Sequence, residues 1–148
     1  MSVSEDLRFF DASALVKRYV REPHTAAVRR WLNLGRTAVS RLSEVEVASA
    51  LARLARDGAI STSQHDRAVA ALVKDRAAWH IVELTSEVAA LSRTLLARYP
   101  LRSGDAIQLA SALRLQQISL VPLKAFVAYD AYDVKLNAAA MAEGFKTP

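Results

Sequence analysis

Four acidic residues stand where a predicted strand ends or a predicted helix begins. They are Asp11, Glu46, Asp105 and Asp130. If the fold gathers their carboxylates, the result is an oxygen-rich pocket suited to a hard divalent cation. The chain as a whole is basic, with a formal net charge of +5. A cationic protein that keeps an acidic pocket is suited to hold an anion over a metal ion, which is the chemistry of a nuclease.

Each acid also has a purely structural interpretation. Ser43 and Glu46 have the spacing of a capping box, and Asp105 in a first helical turn would favour the helix dipole. Asp11 and Asp130 could be turn or cap residues after a strand. However, no cation stands three or four residues from Glu46, and Asp105 is followed at helical spacing by uncharged residues. The four acids therefore support a metal site when they are taken together.

Composition narrows the class of protein. The 148 residues are 52% hydrophobic, which is enough for one domain with a substantial core. The absence of cysteine excludes disulfides and thiolate metal sites. No apolar run is long enough to span a bilayer, and no signal peptide is recognisable, so we expect no membrane association and a cytoplasmic location. The sequence pI of about 9.9 favours a polyanionic partner.

Hydrophobic periodicity alternates short strands with helices along the chain. Gly and Pro fall between the periodic segments. We predict strands at 7–10, 37–40, 80–84 and 126–129, and helices at 13–20, 23–35, 43–57, 61–79, 85–99 and 104–116. A last helix is predicted through Leu136 and Ala140 and ends at Gly144. This alternation predicts an α/β fold, in which a mostly parallel sheet carries helices on both faces. Ligands of such folds gather beyond the carboxyl ends of the strands, where all four acids could meet.

Four segments resemble one known family. The segment 10–20, Phe-Asp-Ala-Ser-Ala-Leu-Val-Lys-Arg-Tyr-Val, is similar to the opening of PIN-domain ribonucleases of the VapC toxin type. The segment 102–112, Arg-Ser-Gly-Asp-Ala-Ile-Gln-Leu-Ala-Ser-Ala, resembles the third acidic motif of that family. The segments 40–46 and 126–130 resemble its second and last motifs, which are less specific. The resemblance covers almost the whole chain in the right order and implies a single PIN-like nuclease domain over residues 1–148.

The last motif departs from the family pattern. Ala128 occupies a position where a Ser or Thr is common in the family. In the family pattern a leucine also follows the last Asp sooner than Leu136 follows Asp130. Matching the end of the strand favours Asp130 as the fourth acid, whereas matching the helix that follows favours Asp133. We place Asp130 first and keep Asp133 as the alternative.

The resemblance implies an active site and partners. Mg²⁺, or Mn²⁺, would bind Asp11 and Asp105 with Asp130 or Asp133, and would activate a water while offsetting charge on the phosphate. Glu46 would orient or deprotonate the attacking water. The resemblance further implies an RNA substrate, a homodimer and a cognate antitoxin protein.

Several polar residues around the acids are candidates for supporting roles. Ser13 and Ser103 are placed to hydrogen-bond the acids or a phosphate, and each could equally be a helix cap. Lys17, Arg18 and Arg102 could contact RNA phosphates, or could belong to a solvated helix face. The alternative function is a catalytically silent PIN-like module that binds nucleic acid or protein, and metal-dependent cleavage that a chelator stops would distinguish the two.

Overall fold

The computed structural model describes residues 6–120, 122–129 and 134–148. Asp130 and Asp133, the two candidates for the fourth acid, lie outside these ranges. The strands and helices follow in the order β1 (Leu7–Phe10), α1 (Ala12–Val16), α2 (Thr25–Asn33), β2 (Arg36–Ser40), α3 (Arg41–Arg56), α4 (Thr62–Asp75), a short 3₁₀ helix (Arg76–Ala78), β3 (His80–Val82), α5 (Ser86–Arg98), α6 (Ser103–Ile118), β4 (Leu123–Val127) and α7 (Val134–Ala142).

The four strands form one parallel sheet in the order β3-β2-β1-β4. The strands β2 and β3 are added in turn on one side of β1, and β4 then pairs with the other side of β1. The strand order therefore reverses between β1 and β4, and this is where parallel sheets place their ligands. Phe10 is in register with Val127, so the carboxyl ends of these two strands lie side by side.

Helices cover both faces of the sheet because successive strand residues point to opposite sides. Phe9 and Phe126 stack with ring centroids 5.5 Å apart in a core shared with α5, α6 and α7. Phe10 and Val127 belong to the opposite core, which α1, α2, α3 and α4 cover. The predicted α/β fold with helices on both faces is confirmed.

The start of α3 corrects one prediction. Ser40 caps this helix, since its Oγ accepts a hydrogen bond from the backbone N of Leu42 at 3.1 Å. The predicted capping box of Ser43 and Glu46 is therefore wrong, because both residues lie inside the helix. At the start of α4, Ser61 and Gln64 form a capping box through reciprocal hydrogen bonds.

Other boundaries also differ from the predictions. The helix α1 ends at Val16, and the residues up to Tyr19 form turns. The strand β4 occupies Leu123–Val127, several residues earlier than expected, and β3 ends at Val82. Within the described ranges, no helix is both long and apolar enough to cross a lipid bilayer.

Candidate active site

Asp11 lies at the carboxyl end of β1 and caps α1. Its side chain is buried, and Oδ1 accepts hydrogen bonds from the backbone N of Ala14 at 3.0 Å and from Ser13 Oγ at 2.6 Å. Its backbone N donates to the carbonyl of Val127 at 3.1 Å, which extends the pairing of β1 with β4 beyond the last strand residue. The carboxylate is thereby fixed from both its side chain and its backbone.

Ser13 connects the two central strand ends. Besides donating to Asp11, its Oγ accepts a hydrogen bond from the backbone N of Tyr129 at 3.3 Å. Tyr129 follows β4, so a single hydroxyl links the end of β1 to the end of β4. The Ser13 hydroxyl therefore bonds one of the predicted acids.

Glu46 projects from the second turn of α3 toward α6. Its Oε1 accepts a hydrogen bond from Gln108 Nε2 at 3.3 Å, and a Cβ built on Gly104 would lie 3.5 Å from the same oxygen. The neighbouring acid Glu44 has a different environment, since it forms 3.0 Å ion pairs with Arg41 and Arg76. Glu44 is therefore held in two ion pairs, whereas Glu46 faces α6.

Asp105 lies in the first turn of α6. Its Oδ2 accepts long hydrogen bonds from the backbone N of Arg102 at 3.4 Å and from Arg102 Nε at 3.3 Å. The Arg102 side chain is 72% exposed, so solvent screens this pair and makes it weak. The contact resembles a cap and leaves the carboxylate able to bind a cation.

Asp11, Glu46 and Asp105 line one cavity of about 570 Å³. Three separate elements thus bring together the three predicted acids that the structure describes. The remaining lining residues are Ala12, Ser13, Val16, Lys17, Glu22, Val45, Ser49, Ala50, Arg53, Leu54, Arg102 and Gln108. The cavity combines carboxylates with cationic side chains, as a site for a metal ion and a phosphate requires.

The donor chemistry of this cavity suits a hard cation. Among the residues described, no group of three or more His, Asp or Glu side chains is arranged to hold a metal ion by itself. Mg²⁺ does not require such a group, because it commonly takes one or two carboxylates and keeps several waters. The carboxylates among the described lining residues offer oxygen ligands, which suit Mg²⁺ or Mn²⁺ better than a softer metal.

The predicted cations divide between two places. Lys17 and Arg102 line the cavity, and the buried ammonium of Lys17 donates to Glu22 at 3.1 Å. Arg18 is absent from this lining and binds Asp75 at the end of α4, with Nε and Oδ2 at 2.7 Å. The hydrogen bond to Asp75 raises the pKa of Arg18 above its ordinary value.

Ser103 lines a different, mostly apolar cavity beside α5. Arg53 and Gln108 are among the lining residues that were not predicted as site residues. Helical spacing could have indicated both. Arg53 follows Glu46 by seven residues, and Gln108 follows Asp105 by three, so each shares a helix face with a predicted acid.

Comparison with known proteins agrees with this architecture. The PIN domain profile matches residues 8–131. Ribonuclease VapC45 and ribonuclease VapC49, both from Mycobacterium tuberculosis, are each 36% identical over 116 residues, which is 78% of this chain and 81% of each relative.

Solved structures share the fold at lower sequence identity. A toxin-antitoxin complex from Klebsiella pneumoniae contains a chain with a TM-score of 0.58 and 23% identity, covering 85% of this chain and 88% of its own. Mycobacterium tuberculosis VapC20, described as a sarcin-ricin loop cleaving toxin, has a TM-score of 0.65 and 17% identity, with coverages of 95% and 97%. With the profile match and the sequence relatives, these findings establish that the chain belongs to the PIN-domain family, among ribonucleases of the VapC type.

Proposed function

We propose that residues 1–148 form a single Mg²⁺-dependent endoribonuclease domain, with Mn²⁺ as the alternative ion. The observation that carries the proposal is the shared cavity of Asp11, Glu46 and Asp105 beside the point where the strand order reverses. Family membership adds that relatives with this fold are named ribonucleases. RNA phosphodiester bonds are therefore the substrate class.

The metal ion would be held by Asp11 and Asp105 together with Asp130 or Asp133. When bound, it would activate a water and offset negative charge on the phosphate. The oxygen-only ligand set and the neighbouring cations support this assignment.

The chain itself supplies orientation, proton transfer and phosphate binding. Ser13 and the start of α1 hold Asp11 in one rotamer through two hydrogen bonds. Glu46 acts on the attacking water as general base or as an orienting acceptor. Lys17 and Arg102 line the same cavity and attract the RNA backbone.

The biological role follows from the relatives. A structural neighbour comes from a toxin-antitoxin complex, and another is described as a sarcin-ricin loop cleaving toxin. We infer that this protein is the toxin of a type II toxin-antitoxin pair, that a cognate antitoxin protein binds it, and that it forms a homodimer. Size-exclusion chromatography with light scattering, alone and with the product of a neighbouring small gene, measures both associations.

RNA cleavage by the purified protein tests the proposed activity. We expect cleavage of total RNA with Mg²⁺ or Mn²⁺ and none with excess chelator. Asp11→Asn and Asp105→Asn should each lower turnover about 100-fold or more, which corresponds to roughly 2.7 kcal/mol of activation free energy.

Asp66→Asn is the matched control, because Asp66 is an exposed acid on α4 whose side chain contacts His65. Its turnover should equal that of the unchanged protein. Cleavage that persists in chelator, or undiminished cleavage by both cavity variants, would refute the proposed site. RNA binding without cleavage under all metal conditions would instead identify a catalytically silent binding module.

A further inference from the structure

A buried amide stands behind Glu46. Gln108 is 2% exposed and lies one turn after Asp105 on α6. Its Nε2 donates to Ser43 Oγ at 2.9 Å and to Glu46 Oε1 at 3.3 Å. A glutamine so fully buried needs partners for its polar atoms, and these partners lie on α3.

The partners fix the orientation of the amide. Ser43 is fully buried, and its Oγ lies 3.3 Å from Gln108 Oε1, to which it can donate. Turning the amide over would place Oε1 against the carboxylate of Glu46, where two acceptors would repel each other. The ionised carboxylate therefore selects the orientation in which Nε2 faces it.

The same contacts set the distance between two helices. Ser43 and Glu46 are three residues apart on α3, and Asp105 and Gln108 are three residues apart on α6. Each pair thus occupies one face of its helix. The hydrogen bonds of Gln108 join these faces and hold the carboxylate of Glu46 in a fixed place relative to the carboxylate of Asp105.

We propose that Gln108 is a positioning residue that holds the Glu46 carboxylate for RNA cleavage. This inference rests on the proposed function, because it requires Glu46 to act on the attacking water. Gln108 offers two donors without adding charge, so it restricts the rotation of the Glu46 carboxylate without forming an ion pair with it. Partners of this kind typically contribute about 10- to 100-fold to activity when the group they orient does the chemistry.

Three single variants test the kinetic consequence. Gln108→Met keeps the length and volume of the side chain but removes its donors, and it should lower kcat about 10- to 100-fold with KM for RNA unchanged. Ser43→Ala removes one partner of the amide and should lower kcat by less. Ser111→Ala is the matched control, since Ser111 is a fully buried polar residue one turn further along α6 whose hydroxyl bonds the carbonyl of Ile107.

A double-variant comparison separates positioning from general damage. If Gln108 acts through Glu46, Gln108→Met has no further effect on single-turnover cleavage by a Glu46→Gln protein. An equal fold-loss in both backgrounds would show that the amide only supports the fold and would overturn the proposal. A raised KM with unchanged kcat would do the same, because it would make Gln108 a substrate-binding residue.

A spectroscopic measurement keeps the inference independent of RNA cleavage. In metal-free protein, the side-chain NH₂ signal of Gln108 is assigned by its loss in Gln108→Met. This signal should shift in Glu46→Gln and in Ser43→Ala, and should stay unchanged in Asp66→Asn. A Gln108 signal that does not shift in Glu46→Gln overturns the proposal even if RNA is cleaved. A Gln108 signal that does shift, in a protein that cleaves no RNA, shows that only the proposed function is wrong.

Discussion

Replacing Asp75 with Asn should destabilise the segment that follows α1. Asp75 is the last residue of α4, and its Oδ2 accepts hydrogen bonds from Arg18 Nε at 2.7 Å and from the Tyr19 hydroxyl at 2.9 Å. A longer contact joins Arg18 Nη2 to Oδ1 at 3.4 Å. The helix α1 has only five residues, and Asp11 caps its start. The cluster of Arg18, Tyr19 and Asp75 fixes the residues that directly follow its end.

The size of the effect follows from these contacts. A hydrogen bond to a charged group contributes about 1.5–3 kcal/mol, and the cluster has two short ones. The Arg18 side chain is 38% exposed, so screening reduces its share, and Asn retains one acceptor oxygen. We therefore expect Asp75→Asn to lower the free energy of unfolding by about 1–3 kcal/mol, which is roughly 3–10 °C in Tm for a chain of this size.

The pKa of Asp75 predicts how the effect of Asp75→Asn on the unfolding free energy changes with pH. Burial of the Asp75 carboxyl acts to raise its pKa, but the hydrogen bonds from Arg18 and Tyr19 together lower the pKa below its ordinary value. A carboxyl whose pKa is lowered by folding stabilises the protein above its unfolded pKa, near 3.9, and loses that contribution as pH falls through the folded value. The difference in unfolding free energy between the two proteins should therefore be constant from about pH 6 to 8 and shrink below about pH 4.

Urea unfolding followed by circular dichroism, at pH 7 and below about pH 4, measures this difference. Asp66→Asn on the same helix serves as control and should leave the unfolding free energy unchanged, because the Asp66 side chain is 70% exposed. Equal stability of Asp75→Asn and the unchanged protein at pH 7 would refute the assigned cluster. So would a difference that grows on acidification.

Two further substitutions probe the surroundings of the acids. Ser13→Ala removes the hydrogen bonds to Asp11 and Tyr129, so the unfolding free energy should fall by about 1–3 kcal/mol and turnover about tenfold. Thermal unfolding and RNA cleavage measure both, and full stability would contradict the assigned link. Gly104→Ala places a methyl group on α6 in ordinary van der Waals contact with Glu46 Oε1 on α3, at 3.5 Å. Alanine has the higher helix propensity, so stability should be unchanged or up to about 1 kcal/mol higher. Turnover should nevertheless fall, since the methyl fills space beside the carboxylate, and unchanged turnover would show that catalysis does not use this space.

Periodicity predicted the four strands and seven α-helices that the structure describes, but not the 3₁₀ helix Arg76–Ala78. It also could not choose between two serines at the start of α3. Ser40 and Ser43 are both suitable caps, and only Ser43 has a glutamate three residues later. The choice depends on burial of Ser43 against Gln108, which lies 65 residues away in the sequence. A local pattern carries no information on such a contact, so the capping box was assigned to the wrong serine.

The end of α1 was hidden for a similar reason. Tyr19 and Val20 have helical spacing from Leu15 and Val16, and Val20 is buried as an amphipathic helix would require. They pack into the same core from turns rather than from a helix. Because α1 ends early, Arg18 is directed toward α4. The neighbouring cations that were predicted on one helix therefore have different partners.

The structural and catalytic interpretations of each acid turn out to be compatible. Asp11 caps α1, Asp105 contacts the residue at the start of α6, and Glu46 accepts from a buried amide, while all three line one cavity. The bonds that satisfy a helix end also restrict the rotation of the carboxylate, which is the preorganisation that catalysis requires. This dual use explains why Asn is the informative replacement at Asp11. Asn keeps the Oδ1 acceptor for the backbone N of Ala14, so the cap and the fold should survive while the negative charge is lost.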